Sequence, residues 1–189
     1  MSSKSTLDFF TTSDGTKYAH AFVPAQGTNA TFLLLHGFPG SHQDWQFQIA
    51  ALSSEGFGVL APDMLGFGAT DLPTDLTQYR IKRLADHLKE LLDHRHLDTV
   101  IGVGHDWGSA VLSRLAVYHQ KRFSKFVWIS LGYVAPGGFF DLDAVNKWIL
   151  STHGYTPFGY WYFFSEDDAD EVIKAHVSGP GTASVDPCE

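Results

Sequence analysis

The sequence predicts an α/β domain, a mainly parallel sheet with helices on both sides. Three observations point there. Short continuous apolar runs recur at TFLLL, GVLAP, TVIGVG and KFVWISL, the pattern of strands covered on both faces. Between two of them, the stretch from about Tyr79 to Asp93 sets Ile81, Leu84, Ala85, Leu88, Leu91 and Leu92 on one helical face and Lys82, Arg83, Asp86, Lys89 and Glu90 on the other. Finally, VIGVGHDWGSAV passes from an apolar run through glycines straight into a helical pattern. Strand and helix alternate, and that order closes most simply as a parallel sheet.

Residues 6–11 and 17–23 alternate loosely around SDGT, where Asp14 and Gly15 favour a turn, so an antiparallel hairpin is expected first. Further strands are expected at 32–35, 58–63, 99–106 and 123–131. After LGYVAPGGFF the pattern changes, with Pro136, Gly137 and Gly138 as punctuation. Residues 139–176 are rich in aromatics and helix formers and hold no further apolar strand. The expected organisation is a core over 1–138, a helical part over 139–176, and a tail over 177–189 whose small residues and prolines predict no ordered structure.

A chain of 189 residues, 44% hydrophobic, can bury one sizeable core. Its formal charge of -8, from 13 basic and 21 acidic residues without long runs of either sign, argues against a nucleic-acid or anionic-membrane partner. The one cysteine, Cys188, allows no disulfide within the chain. The opening MSSKSTLDFF lacks the apolar core of a signal peptide, and no run approaches the roughly 18 apolar residues of a membrane span. A cytoplasmic location is expected. His87, His94 and His96, with no cysteine near, are read as a solvated helix end and not as a metal site.

Ligands of parallel sheets sit at the carboxyl ends of the strands, which singles out HGFPG, PDMLGFG and GHDWG. In the last, Gly104 and Gly108 bracket Asp106 two residues to each side, as a sharp strand-to-helix turn requires, because any side chain at those places would be crowded. This has the outline of a nucleophile elbow with a carboxylate at its apex. The N–H of Trp107 opens the helix that follows, where amides are unpaired and the dipole favours negative charge. A second donor for an oxyanion is expected from the loop after the third strand, at Phe38. His36 and His105 are read as hydrogen-bonding support, and Asp63 as a loop organiser.

HGFPG at 36–40 together with GHDWG at 104–108 resembles the epoxide hydrolase branch of the α/β-hydrolase fold, over a stretch from near residue 7 to about 176. FGYWYFFSEDDADEVI, 158–173, is similar to that family's helical cap, in which a tyrosine points at the nucleophile. The resemblance implies Asp106 as nucleophile, Phe38 and Trp107 as backbone oxyanion donors and substrate contacts, Tyr160 as a ring-opening acid and Tyr155 as a further substrate contact. It implies a small apolar epoxide as substrate and neither cofactor nor metal. Tyr160 lies among Phe158, Trp161, Tyr162, Phe163 and Phe164, so plain apolar packing is its alternative role. Met64 and Leu65 stand where the family usually has a basic residue after the aspartate.

The chemistry suits a carboxylate, which attacks saturated carbon and leaves an ester whose carbonyl water can attack later. A tyrosine can assist the departing oxygen as a neutral donor. Hydrolysis of the ester then needs a histidine and an orienting acid from later strands. After Asp106 the only histidines are His119, His153 and His176, none of which follows a core strand. The sequence is therefore expected to be a family member cut short within or just after the cap, inactive or limited to one turnover. KFVWISL would then be an unpaired edge open to self-association. Two alternatives remain at this point: a haloalkane or haloacid dehalogenase, with Trp107 holding the halide, and a non-catalytic fragment that binds an apolar ligand or a partner.

Overall fold

A computed structural model describes residues 7–137 and 140–177. The chain divides into two compact units, with the division after Gly138. The first holds six strands, β1 (Asp8–Thr11), β2 (Lys17–Val23), β3 (Thr31–Leu35), β4 (Gly58–Pro62), β5 (Val100–His105) and β6 (Phe123–Ile129). Its helices are α1 (Gln46–Ser54), α2 (Ile81–His94) and α3 (Trp107–Tyr118). The strands form one sheet in the order β1-β2-β4-β3-β5-β6. β1 with β2 and β2 with β4 are antiparallel, and the remaining pairs are parallel. The expected hairpin and parallel core are both present.

Alternation along the strands divides the core in two. Leu33, Leu35, Leu60 and Val100 pack on one side with Leu84, Leu88 and Leu91 of α2 and Leu112 and Leu115 of α3. Leu34, Val59, Ala61 and Val103 point the other way, against Trp45 and against Ile49 and Leu52 of α1. Each central strand is thus apolar on both faces, which is why β3 and β4 read as unbroken apolar runs. β6 is an edge, paired only with β5 among the described residues, and Val127 and Ile129 on it are exposed.

The carboxyl ends of β3, β4 and β5 come out side by side, since Leu35 pairs with Gly104 and Leu33 with Leu60. That places His36, Asp63 and Asp106 along one rim of the sheet.

α2 corrects one reading of the sequence. His87 is not part of a solvated helix end: it is buried on the apolar stripe, with Nδ1 3.2 Å from the Tyr18 hydroxyl and Nε2 3.0 Å from the Asp14 carboxylate. It lies three residues after Leu84 and four before Leu91, spacing that puts it on the inward face. His119, likewise, stands just beyond α3 as its C-cap, with Nε2 2.9 Å from Asp86.

His20 on β2 is also fully buried, and its Nε2 accepts from Arg95 Nε at 2.9 Å. Burial, then the Arg95 charge, lowers its pKa to about 4. An unfolded histidine takes up its proton near pH 6.5 and the folded one only near 4, so the unfolded state binds more protons between those values. Stability should therefore fall as pH drops through that window, by up to about 3 kcal/mol from His20 alone. Thermal melts at pH 7 and pH 4.5 measure it. The same comparison in His20→Gln should show a smaller drop, whereas an equal one would contradict the assignment.

The second unit contains α4 (Leu142–His153), α5 (Gly159–Phe164) and α6 (Ala169–Val177). Asp141 caps α4 by accepting from the Ala144 amide at 2.9 Å, and Gly154, at φ 79°, ends it in the left-handed conformation. Asn146 is buried, and its Oδ1 receives the Phe158 amide at 3.1 Å, joining α4 to the segment before α5. Phe140, Phe158 and Trp161 form an aromatic cluster. No helix among the described residues is long and apolar enough to cross a membrane. The tail expected over 177–189 lies, from residue 178 on, outside the described residues.

Candidate active site

β5 ends at His105 and α3 begins at Trp107, which leaves Asp106 alone to turn the chain. It does so at φ 52° and ψ -122°, a conformation that non-glycine residues rarely adopt and that costs on the order of 1–3 kcal/mol. Neighbouring hydrogen bonds hold it there. The Asp106 carbonyl accepts from the Ser109 amide at 2.9 Å, and the Ser109 hydroxyl donates to the Gly104 carbonyl at 2.7 Å.

The two bracketing glycines are where the turn touches its surroundings. A Cβ on Gly108 would lie 2.2 Å from the Leu35 carbonyl oxygen, and one on Gly104 would lie 2.7 Å from the Gly108 carbonyl oxygen. Gly37, in the facing loop, is as tightly placed, since its Cβ would fall 2.4 Å from the Cβ of Asp106. Three glycines therefore let the turn after β3 and the elbow close on each other.

Although Asp106 is the N-cap residue of α3, its carboxylate makes no capping bond to that helix. Its Oδ1 instead accepts from the Phe38 amide at 3.0 Å, across a sequence separation of 68 residues. The Phe38–Pro39 peptide is cis. Trp107 is the first residue of α3. Phe38, Asp106 and Trp107, singled out in the sequence, are thus assembled at one point of the rim. Tyr160 and Tyr155 belong to the second unit, on α5 and between α4 and α5, and both are exposed. Tyr160 meets the rings of Trp161 and Phe164.

A cavity of about 280 Å³ adjoins the elbow. Its walls include Phe38 and Trp107 together with Met64, Leu65, Phe67 and Val111, so it is overwhelmingly apolar. Met64 and Leu65, which depart from the usual basic position, supply part of that wall while packing into the core. This role was not legible in the sequence, although two apolar residues just after a strand end were its available signal.

The wall is shaped by Asp63. Its Oδ1 accepts from both the amide of His42 at 2.8 Å and the ring Nδ1 of His42 at 2.7 Å, and its Oδ2 accepts from the Ala69 amide at 3.0 Å. Burial pushes this carboxyl up, but those donors outweigh it and hold the group below the ordinary carboxylate range. His36 is buried, and burial lowers its pKa. Its Nε2 accepts from the Met64 amide at 2.8 Å, and its Nδ1 lies 2.8 Å from the Gly37 carbonyl oxygen.

This combination of a strained strand-to-helix turn, a carboxylate at its apex and an amide reaching it from the preceding loop places the chain in a defined class. It belongs to the alpha/beta hydrolase fold family, whose profile matches residues 30–161. Proteins it is similar to include epoxide hydrolases. Epoxide hydrolase 3 of Siraitia grosvenorii is 34% identical over 112 residues, 59% of this chain and 35% of that protein. An epoxide hydrolase of Caballeronia sordidicola is 33% identical over 160 residues, 84% of this chain and 47% of that protein. Among solved structures, an epoxide hydrolase from Vigna radiata is similar with a TM-score of 0.67 at 27% identity, covering 95% of this chain and 57% of that one. The chain spans between about a third and a half of these two curated relatives.

Proposed function

We propose that this chain opens a small apolar epoxide by forming an alkyl ester on Asp106. The observation that carries the reading is the carboxylate itself, held at the apex of a strained turn beside an apolar cavity and bonded through Oδ1 to the Phe38 amide. That bond leaves Oδ2 to attack an epoxide carbon. The carbon–oxygen bond of the ring breaks as the new one forms, and the departing oxygen takes a proton from a neutral donor, the role that the family resemblance gives to Tyr160. The amides of Phe38 and Trp107 are proposed as the pair that would later stabilise an oxyanion at the ester carbonyl. The relatives' names support the substrate class, and a cavity of this volume suits a short-chain or single-ring epoxide.

Hydrolysis of that ester needs a base near the elbow. Among the first unit's histidines, His36 has both ring nitrogens engaged, His42 gives its Nδ1 to Asp63, and His119 lies about 20 Å along α3 from Asp106 and is paired with Asp86. We propose that regeneration of Asp106 is slow in the 189-residue chain, which is expected to react about once. With excess styrene oxide, epoxide consumption measured by chromatography should level off near one equivalent per chain. Steady production of diol over many equivalents would contradict the reading, and no consumption at all would remove it.

A further inference from the structure

We propose that His36 is a positioning residue for the reactive carboxylate, because it fixes the one peptide unit that links it to Asp106. This rests on the reading of Asp106 as the nucleophile. The Gly37 carbonyl and the Phe38 N–H are the two ends of a single planar peptide, and they point in opposite directions. One end meets the His36 ring, with Nδ1 2.8 Å from the Gly37 oxygen, and the other donates to Asp106 Oδ1 at 3.0 Å. A ring that anchors the carbonyl therefore sets the direction of the N–H.

The protonation of the ring follows from its other contact. The Met64 amide can only donate, so Nε2, 2.8 Å away, must accept and carries no proton. The neutral ring then holds its hydrogen on Nδ1, where it donates to Gly37. His36 is buried, with the Phe67 ring edge-on at 5.6 Å, and this leaves it little freedom to turn. Asp63, Asp44 and His42 are the titratable groups whose charges act on it. In this way His36 ties the turn after β3 to the turn after β4, and both turns form walls of the apolar cavity.

Two substitutions separate the ring's two contacts. The side-chain amide of asparagine reaches the position of Nδ1 and can still donate to Gly37. That of glutamine reaches the position of Nε2 and can accept from Met64, but it loses Gly37. In His36→Gln the rate of adduct formation at Asp106 with styrene oxide, followed by intact-mass spectrometry, should fall roughly tenfold, the scale of one lost orienting hydrogen bond. In His36→Asn most of that loss should be recovered, and the Phe38 amide resonance should stay near its wild-type shift only in His36→Asn. A role limited to packing would lower both variants alike, which would overturn the proposal. If the wild-type chain forms no adduct, the Phe38 shift still separates the two variants, so the failure would belong to the nucleophile reading alone. If neither variant folds, ring nitrogen shifts of wild-type His36 decide: the expected tautomer has hydrogen on Nδ1, and hydrogen on Nε2 would refute the assignment.

Discussion

Gly108→Ala is expected to destabilise the first unit severely. In an open helix the same change stabilises, by about 0.5–1 kcal/mol, because alanine is the better helix former. Here the added methyl would stand 2.2 Å from the Leu35 carbonyl oxygen and 2.7 Å from that of His36. Those atoms belong to a central strand and to the turn that carries the Phe38 amide, so neither can withdraw cheaply. Overpacking of this kind costs about 1–3 kcal/mol where side chains can adjust, and the upper end or more is expected against backbone. For a protein of this size that corresponds to a fall in Tm of roughly 10 °C. A wild-type Tm in Gly108→Ala, followed by circular dichroism, would mean that the elbow and β3 do not close as described.

Asp106→Asn is expected to abolish reaction with epoxides while leaving the fold intact. The amide is nearly isosteric, and its oxygen can still accept from Phe38. What it lacks is the negative charge that makes the carboxylate a nucleophile toward saturated carbon. The loss should be complete within detection, whereas changes at residues that only orient the group should slow it. Residual reaction at a comparable rate in Asp106→Asn would assign the chemistry to another side chain.

Much of this was readable in the residues because its causes are local. The central strands announce themselves as apolar runs because both of their faces are covered, and α2 because one of its faces meets the sheet and the other meets water. The elbow was readable for a steric reason that is only partly local: the Gly108 carbonyl of the same turn crowds Gly104, whereas the atoms that crowd Gly108 belong to Leu35 and His36 of the neighbouring strand and its turn. α1 was harder, because its apolar residues do not gather in one stripe and Phe47 on it is exposed. His87 was misplaced because a histidine was weighed by its neighbours in sequence, although its spacing from Leu84 and Leu91 put it on the buried face. The parts that escaped are long-range. The bond from His36 to the Met64 amide joins residues 28 apart, and the cavity wall depends on how the turn after β4 lies against the turn after β3. Neither is fixed by local pattern.

The most direct test is to locate the covalent product. The chain is incubated with a reactive epoxide, digested at acidic pH to preserve esters, and the peptides are sequenced by tandem mass spectrometry. The expected result is one modified peptide spanning the turn between β5 and α3, with the added mass on Asp106 and none on the hydrogen-bonded carboxylate of Asp63. An unmodified Asp106 in a folded chain, or a label scattered over exposed carboxylates and histidines, would contradict the assignment of Asp106 as the nucleophile.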